Sequence, residues 1–327
     1  MNDNNLLRKH QRKSKIKETG LSLLFLSPYL LNFLTFFIIP IVSGFFMSFF
    51  NYDPYNAEAF KFVLFKNYER IFAVNVYSKY FWNAFKITIL FDIVAVPCLI
   101  IIPLLLAYLI NIQPPGYKLF RAIIYLPSVI SISIVGIIFS AIFSSDVNGF
   151  FNATFHTNIN FLNDANNPLL RWFIILLASI WWQTGGNFVI ILAALKNVPK
   201  SLYEACEIDG GNKWHSFIKV TLPNIKSSLG VCLFNTLIGY LSLYGQPTVL
   251  QGAVFASDYD SPMILIQSLL GDPSKSHLTG FVTAMAIVFG LIVMALTIIE
   301  RTVMKERRKG YKHEKRYYQY LASKESI

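Results

Sequence analysis

The sequence predicts an all-α, polytopic membrane protein with six transmembrane helices. Of its 327 residues, 54% are hydrophobic and only 14% are charged, whereas an ordinary soluble domain has roughly one quarter charged residues. Apolar stretches that reach the roughly 20 residues needed to cross a bilayer recur six times. The predicted spans are residues 21–49, 84–110, 122–143, 171–194, 228–250 and 279–302.

The spans divide the chain into a membrane domain and two basic ends. Residues 1–20 are polar and basic, and the apolar stretch that follows is too long for the core of a cleaved signal peptide. We therefore expect a basic N-terminal segment at 1–20, a six-span membrane domain at 21–302 and a basic tail at 303–327. The run KERRKGYKHEKR in the tail is expected to be solvated near anionic lipid.

The distribution of Lys and Arg predicts the orientation in the membrane. Segments 1–20, 111–121, 195–228 and 301–327 hold 22 of the chain's 29 basic residues, and the alternate loops hold the other 7. By the positive-inside rule, both termini and the loop around residue 210 are cytoplasmic. The net charge of +11 therefore reflects topology, and it shows no pattern suited to nucleic acid.

Charged and helix-breaking residues inside the spans are few. Of the 18 Asp and Glu residues, we place only Asp92 inside a span, where an acid is a functional candidate by default. Asp92 lies near the outer end of its span, within reach of water or Lys86, and it ranks below the polar residues considered below. Prolines within or at the ends of spans are compatible with a packed bundle around a cavity. They are residues 28, 40, 97, 103 and 127.

The loop at 196–227, between the fourth and fifth spans, contains two predicted short helices. Pro199 suits a first helical turn, and Gly210 with Gly211 supplies a C-terminal stop. The second helix is predicted from about Lys213 to Val220, ending before Pro223. Each helix presents an apolar face that a partner protein, the membrane surface or the chain's own bundle must cover. Leu202, Ala205, Cys206 and Asp209 share one face of the first helix, and Trp214, Phe217 and Ile218 make an apolar face on the second.

This loop resembles the EAA motif of binding-protein-dependent ABC importers, in the form found in sugar permeases. The matching residues are LYEACEIDGG at 202–211, Phe217 and VTLP at 220–223. The resemblance covers nearly the whole chain, through FKNYERIF at 65–72, FRAIIYLPSVIS at 120–131 and GFFN at 149–152. VLQGAVF at 249–255 departs from the family's pattern.

The resemblance implies a transport subunit that carries out no covalent chemistry. The loop would be the coupling helix, which docks on an ABC ATPase dimer. The other partners implied are a second permease, an extracytoplasmic solute-binding protein, membrane lipid and a carbohydrate, in a bacterial inner membrane. Mg-ATP would be bound by the ATPase, since this chain has no P-loop sequence. The coupling residues implied are Leu202, Tyr203, Glu204, Ala205, Asp209, Gly210, Phe217, Leu222 and Pro223.

Two polar stripes are candidate carbohydrate ligands. Hydroxyl-rich ligands need hydrogen-bonding side chains and aromatic faces, and such residues recur at i, i+4, i+8 in the fourth and fifth spans. The stripes are Ser179, Gln183 and Asn187, beside Trp181 and Trp182, and Thr236, Tyr240 and Tyr244, beside Asn235. Our site prediction is Trp182, Gln183, Asn187, Thr236 and Tyr240. For any one of them, bridging between helices is an equal alternative.

The remaining features argue against other classes. The three cysteines and five histidines show no metal-ligand spacing, so no metal site is expected. A secondary transporter would need buried ion sites and often internal repeats, and an intramembrane enzyme would need a nucleophile with a base or a metal. A glycerol-phosphate or polyol cargo on the same fold stays open as an alternative.

Overall fold

The computed structural model describes residues 20–325 except 57, 59, 145–148, 163–167 and 252–260. The predicted N-terminal segment lies outside these residues apart from Gly20, and so do the last four residues of VLQGAVF. The described chain is almost entirely helical, as predicted, and it divides into two units. One unit takes residues up to 72 with 272–287, and the other takes 73–271 with the chain from 288 onward.

The smaller unit contains the first long helix and a hairpin. Helix α1 spans Gly20–Met47 and includes one π-helical turn at Leu34–Ile38. Strands β1 (Phe50–Asn51) and β2 (Lys61–Phe62) pair antiparallel, and α2 spans Lys66–Phe72. A 3-10 turn at Pro273–Leu278 leads into α13, Thr279–Glu325, whose first residues belong to this unit.

The NY pair of FKNYERIF has a structural role in this unit. The buried Asn67 amide donates hydrogen bonds to the carbonyl oxygens of Ser48 (2.9 Å) and Phe50 (3.0 Å), and the Tyr68 hydroxyl lies 2.7 Å from the Ser48 hydroxyl. These bonds fix the hairpin to the end of α1. Gly280 lies against the same backbone, where an added Cβ would meet the Phe50 carbonyl oxygen.

The larger unit is a helical bundle around two apolar clusters, one of which includes Phe91, Trp172 and Tyr240, and the other Phe188 and Cys232. Its helices are α3 (Val76–Asn111), α4 (Tyr117–Val129), α5 (Ile132–Ile142), α6 (Phe150–Phe155), α7 (Pro168–Lys196), α8 (Lys200–Ile208), α9 (Lys213–Ser216), α10 (Leu222–Leu241), α11 (Gly245–Gln251) and α12 (Pro262–Gly271).

The structure confirms a multi-pass membrane protein but not six continuous spans. Four described helical stretches are long and apolar enough to cross a bilayer: Gly20–Met47, Val76–Asn111, Leu169–Lys196 and Pro273–Thr302. A fifth crossing would combine α4 and α5, which meet at a bend of 98°. The predicted spans at 122–143 and 228–250 are each interrupted in the structure, so the count of six is not confirmed for the described residues.

Local sequence explains the first of these interruptions. Ile130 is extended after Pro127, and Ser131 begins a new helix by accepting a hydrogen bond from the Ile134 amide (3.4 Å). In the predicted fifth span, α10 ends at Leu241 and α11 begins only at Gly245.

Two acids lie in the four described stretches that are long and apolar enough to cross a bilayer, where we had predicted one. Asp92 is buried in α3 and only 6% exposed, whereas we had expected it within reach of water or Lys86. Glu300 was missed: it lies in the apolar stretch Pro273–Thr302, and its carboxylate oxygens are buried. The basic tail continues α13 as a helix as far as Glu325.

The GFFN segment also has a structural role. The Asn152 side chain is 1% exposed and makes four hydrogen bonds. Its amide donates to the carbonyl oxygens of Ser144 (3.2 Å) and Ile159 (3.0 Å), and its oxygen accepts from Thr157 Oγ1 (2.9 Å) and the Ile159 amide (3.1 Å). Asn152 therefore links the chain just before α6 to the chain just after it.

Candidate functional sites

Four of the five predicted carbohydrate ligands line one polar cleft in the larger unit. The cleft has a volume of about 260 Å³ and lies between α4, α7 and α10. Its lining contributes an indole, hydroxyls and carboxamides, and none of its residues carries a charge. The polar cleft is lined by Ser128, Trp182, Gln183, Gly186, Asn187, Asn235 and Thr236.

Asn187 connects three helices at the edge of the cleft. Its amide donates to the carbonyl oxygen of Leu99 (2.8 Å) and to Thr236 Oγ1 (3.0 Å). The Leu99 carbonyl is available because Pro103, four residues later in α3, has no N–H to donate to it. Both amide protons of Asn187 are thus used within the protein, which supports the helix-bridging alternative for this residue. Its side-chain oxygen is the group left for a ligand.

Trp182 is also held by a backbone carbonyl. Its indole Nε1 donates to the carbonyl oxygen of Ile130 (2.8 Å), at the bend between α4 and α5. That oxygen is free because the Ile134 amide bonds instead to the carbonyl of Ser131. The indole ring is fixed at the cleft wall, where it can offer an apolar face.

Gln183 and Asn235 differ from these bridging residues. In the described part of the chain, neither side chain takes part in a hydrogen bond, and Asn235 is exposed. Close packing of α4 on α7 at Gly185 positions this part of the cleft, since a Cβ there would lie 2.6 Å from Ser128 Oγ. Gln183 and Asn235 are therefore the carboxamides with all their donors and acceptors available.

Tyr240, the fifth predicted ligand, does not line the cleft. It is 1% exposed and packs on Phe91, with ring centroids 6.0 Å apart. Its hydroxyl faces the side chains of Ser179, Gln246 and Asp92. Tyr240 lies one helical turn after Thr236, and its side chain is therefore in a buried polar cluster and not in the cleft.

The loop after α7 forms a second candidate site, here called the loop groove. It is a surface depression of about 470 Å³ between α8 and the segment that follows. The shared face predicted for α8 is confirmed, because all four of its residues line this groove. The lining residues are Leu202, Ala205, Cys206, Asp209, Gly210, Gly211, Asn212, His215, Lys219 and Val220.

The predicted glycine stop of α8 is confirmed in detail. Gly210 has φ of +80°, its amide donates to the Glu207 carbonyl (3.0 Å), and the Gly211 amide donates to the Cys206 carbonyl (2.8 Å). This is the Schellman pattern of helix termination. Gly211 also leaves room for Cys206, whose Sγ would lie 2.6 Å from an added Cβ.

We had predicted that the second helix of the loop ends before Pro223, and the structure shows that it does not. After α9, a π-helical turn at Phe217–Thr221 continues directly into α10. Pro223 is the second residue of α10 and follows this π-helical turn directly. The loop groove is therefore joined to the cleft-lining helix α10 by continuous helical backbone.

The nine predicted coupling residues fall into two groups. Leu202, Glu204, Ala205, Asp209 and Gly210 are exposed. Tyr203 points inward, with its hydroxyl 3.0 Å from that of Thr221, and Phe217 packs edge-on against Tyr108 of α3 (5.0 Å). Leu222 and Pro223 are half-buried at the start of α10. The first group is accessible to a partner, and the second attaches the loop to the bundle.

Sequence reasoning missed some residues of the polar cleft. Ser128 was not singled out, although it lies in FRAIIYLPSVIS directly after Pro127. Asn235 was noted beside its stripe but left out of the site. Both contacts depend on which helices are neighbours, and the sequence periodicity of one helix carries no such information.

A membrane-spanning helical bundle with an uncharged polar cleft among its helices has the architecture of a permease. The chain belongs to the family of binding-protein-dependent transport system inner membrane components, whose family model matches residues 71–309. It is thus a transport component.

Two relatives from Bacillus subtilis match over most of their length. The probable ABC transporter permease protein YesP is 31% identical over 281 residues, covering 84% of this chain and 87% of YesP. The arabinooligosaccharides transport system permease protein AraP is 30% identical over 282 residues, covering 84% of this chain and 86% of AraP. Among solved structures, a bacterial ABC transporter that imports the acidic polysaccharide alginate has a chain of the same fold, with a TM-score of 0.71 and 21% identity, covering 90% of this chain and 99% of that one.

Proposed function

We propose that this chain is a permease subunit of an ABC importer that moves a carbohydrate from a solute-binding protein into the cytoplasm. The observation that carries the proposal is the uncharged polar cleft between α4, α7 and α10. Such a surface suits a ligand that presents hydroxyl groups and weakly polar CH faces.

The chemistry of the cleft supports a neutral, hydroxyl-rich cargo. Gln183 and Asn235 offer carboxamide donors and acceptors, Ser128 and Thr236 offer hydroxyls, and the Trp182 ring offers an aromatic face. A carbohydrate cargo also agrees with the relative AraP, the arabinooligosaccharides transport system permease protein of Bacillus subtilis.

The size of the cleft supports a second permease as partner. A volume of about 260 Å³ lies below the roughly 300–1,000 Å³ of common small-molecule sites. We infer that a homologous subunit completes the cavity. Substrate-binding roles then fall to Gln183 and Asn235, to the Asn187 side-chain oxygen, and to the Trp182 ring.

The loop groove supports coupling to an ABC ATPase dimer, which would bind Mg-ATP. α8 exposes apolar side chains, with Ile208 86% exposed, and its acids Glu204 and Asp209 are also exposed. Such a mixed surface suits a protein partner. The continuous backbone from Phe217 into α10 gives a path by which movement of the loop reaches Thr236 in the cleft. Uptake would proceed by alternating access driven by the ATPase.

The orientation proposed follows the basic residues: both termini and the loop groove lie in the cytoplasm of a bacterial cell with the chain in its inner membrane. A glycerol-phosphate or polyol cargo is the alternative. A secondary transporter is disfavoured because the polar cleft contains no ionisable side chain.

Proteoliposomes containing the complete transporter test this proposal. A binding screen of the cognate solute-binding protein with neutral oligosaccharides, polyols and glycerol phosphate identifies a ligand, whose labelled form is then used for uptake. We expect uptake of a carbohydrate that requires both ATP and the binding protein. Uptake that is independent of the binding protein, or driven by an ion gradient, would contradict the proposal.

A further inference from the structure

The hairpin of the smaller unit carries a row of aromatic rings on one face. Phe50 of β1 pairs with Phe62 of β2, and their ring centroids lie 5.1 Å apart. Ring contacts continue this face by one pair of residues, since Phe60 stacks on Phe50 (4.4 Å) and meets Tyr52 edge-on (6.1 Å). We call these four side chains the aromatic face: Phe50, Tyr52, Phe60 and Phe62.

The aromatic face is open on its outer side in the described part of the chain. Although the rings contact one another, Phe60 is 54% exposed and Phe62 is 61% exposed. The next cross-strand pair, Asn51 with Lys61, lies on the opposite face because side chains alternate along a strand, and both residues are exposed. A two-stranded hairpin is marginally stable alone in water. This amphipathic hairpin therefore needs a protein or a membrane to cover its aromatic face.

Two membrane helices place the aromatic face where they leave the bilayer. No charged residue occurs from Leu21 to Tyr52, so the uncharged stretch of α1 continues without a break into β1. α13 meets the hairpin near the start of its own apolar stretch, where a Cβ added to Gly280 would meet the Phe50 carbonyl oxygen. The aromatic face thus extends the apolar surface of a membrane span at the level of the bilayer boundary.

The residue types at this level suit lipid. Aromatic side chains are enriched at membrane–water interfaces, and interfacial segments bury an apolar face among headgroups and acyl chains while a polar face points outward. Lys61, on the polar face, has a side chain long enough to keep its ammonium group in the headgroup region. The Arg70 guanidinium lies 4.5 Å from the ring centroid of Phe281, close to the start of α13, which places another cation at this boundary.

We propose that the aromatic face lies in the lipid–water interface and fixes the depth of this end of α1 in the bilayer. The hydrogen bonds from Asn67 to the carbonyl oxygens of Ser48 and Phe50 attach the hairpin to the end of α1. The depth of the rings therefore sets the depth of the helix end. The inference goes beyond transport itself and does not depend on the identity of the cargo.

Spin labels on the two faces of the hairpin test this placement in the complete transporter, reconstituted in proteoliposomes without the solute-binding protein. The three native cysteines are replaced, and a nitroxide is attached to Phe62→Cys or to Lys61→Cys, which are neighbours on opposite faces. Collision rates are measured with oxygen, which concentrates in lipid, and with a water-soluble nickel chelate. Phospholipids labelled at known depths calibrate the scale. We expect the oxygen-to-nickel ratio to be about tenfold higher at position 62 than at position 61.

A second position guards against a local effect of the label. Phe60→Cys should give the same high ratio as Phe62→Cys, because both rings belong to the aromatic face. Equal ratios on the two faces would place the hairpin in water and overturn the inference. Low collision rates with both reagents at positions 60 and 62 would mean that a protein covers the face, which would also overturn it. If that shielding appears only after the binding protein is added, the face is instead a docking surface for that protein.

Discussion

Asn187 donates a hydrogen bond of 2.8 Å to the carbonyl oxygen of Leu99, and the presence of Pro103 explains why that carbonyl is available. A proline inside a membrane helix is tolerated when a neighbouring group satisfies the carbonyl that it frees. Asn187, which we predicted from sequence as a carbohydrate ligand, thus supplies the hydrogen bond that the Leu99 carbonyl lacks in the adjacent helix. The same residue contacts Thr236 (3.0 Å), so it joins α3, α7 and α10 at the polar cleft.

Removing this amide should destabilise the protein. Asn187→Ala leaves the Leu99 carbonyl and the Thr236 hydroxyl without their donor. We therefore expect the free energy of unfolding to fall by about 1–2 kcal/mol. Thermal unfolding in detergent measures it. Asn235→Ala is the matched control, because that exposed side chain makes no hydrogen bond in the described part of the chain. Equal stability of the two variants would contradict the bridging role.

The role of Pro103 can be tested by a double-mutant cycle. Pro103→Ala supplies an N–H for the Leu99 carbonyl. Asn187→Ala should therefore lower the free energy of unfolding by about 1 kcal/mol less in that background than in the parent. Unfolding is measured for the four proteins of the cycle. Additive effects would show that the Asn187 bond does not compensate for the proline.

Gln183 should matter for transport and not for stability. It lines the polar cleft and takes no part in a hydrogen bond in the described structure. We expect Gln183→Leu to lower binding-protein-dependent uptake about tenfold or more while the unfolding temperature and co-purification with the ATPase stay at parent values. Normal uptake would assign Gln183 to packing between helices.

Gly280 should tolerate no larger residue. A Cβ at this position meets the Phe50 carbonyl, a backbone atom fixed by Asn67. Gly280→Ala is therefore expected to destabilise the protein by about 1–3 kcal/mol, as overpacking does. Gly290→Ala, in the same helix and with open space around its Cβ, should be neutral or stabilising. Thermal unfolding of the two variants distinguishes steric exclusion at Gly280 from helix propensity.

The proposed orientation predicts opposite labelling of two exposed positions. In a background without the native cysteines, Thr154→Cys should react with a membrane-impermeant thiol reagent added to whole cells, and Lys213→Cys should react only after the membrane is opened. Both side chains are exposed. The reverse pattern would overturn the orientation.

The long helices could be predicted from sequence because their apolar length alone requires a membrane. The bend at Ile130 and the gap between Leu241 and Gly245 depend on local backbone hydrogen bonds, which hydropathy does not detect. The stripes correctly brought Gln183, Asn187 and Thr236 to one cleft. Their individual roles could not be predicted, since the partner of Asn187 is a backbone carbonyl 88 residues away in sequence. Tyr240 lies outside the cleft because one helical turn separates the cleft wall from a buried cluster.

Coupling through the loop groove is the central claim, and Glu204 and Gly210 are its most specific residues. Glu204 is exposed, so Glu204→Lys should cost little folding energy. A charge-assisted contact with the ATPase would be worth about 1.5–3 kcal/mol. Gly210→Val cannot easily adopt φ of +80°, so it should deform the end of α8. Gly271→Val is the matched control, since that glycine has no positive φ and its Cβ direction is open.

The most direct measurement is ATP hydrolysis by the reconstituted transporter, with and without its loaded solute-binding protein. The parent and Gly271→Val should show stimulation by the binding protein. Glu204→Lys and Gly210→Val should insert in the membrane yet lose that stimulation or fail to co-purify the ATPase. Parent-level stimulation in both of these variants would contradict the assignment of this loop as the coupling element.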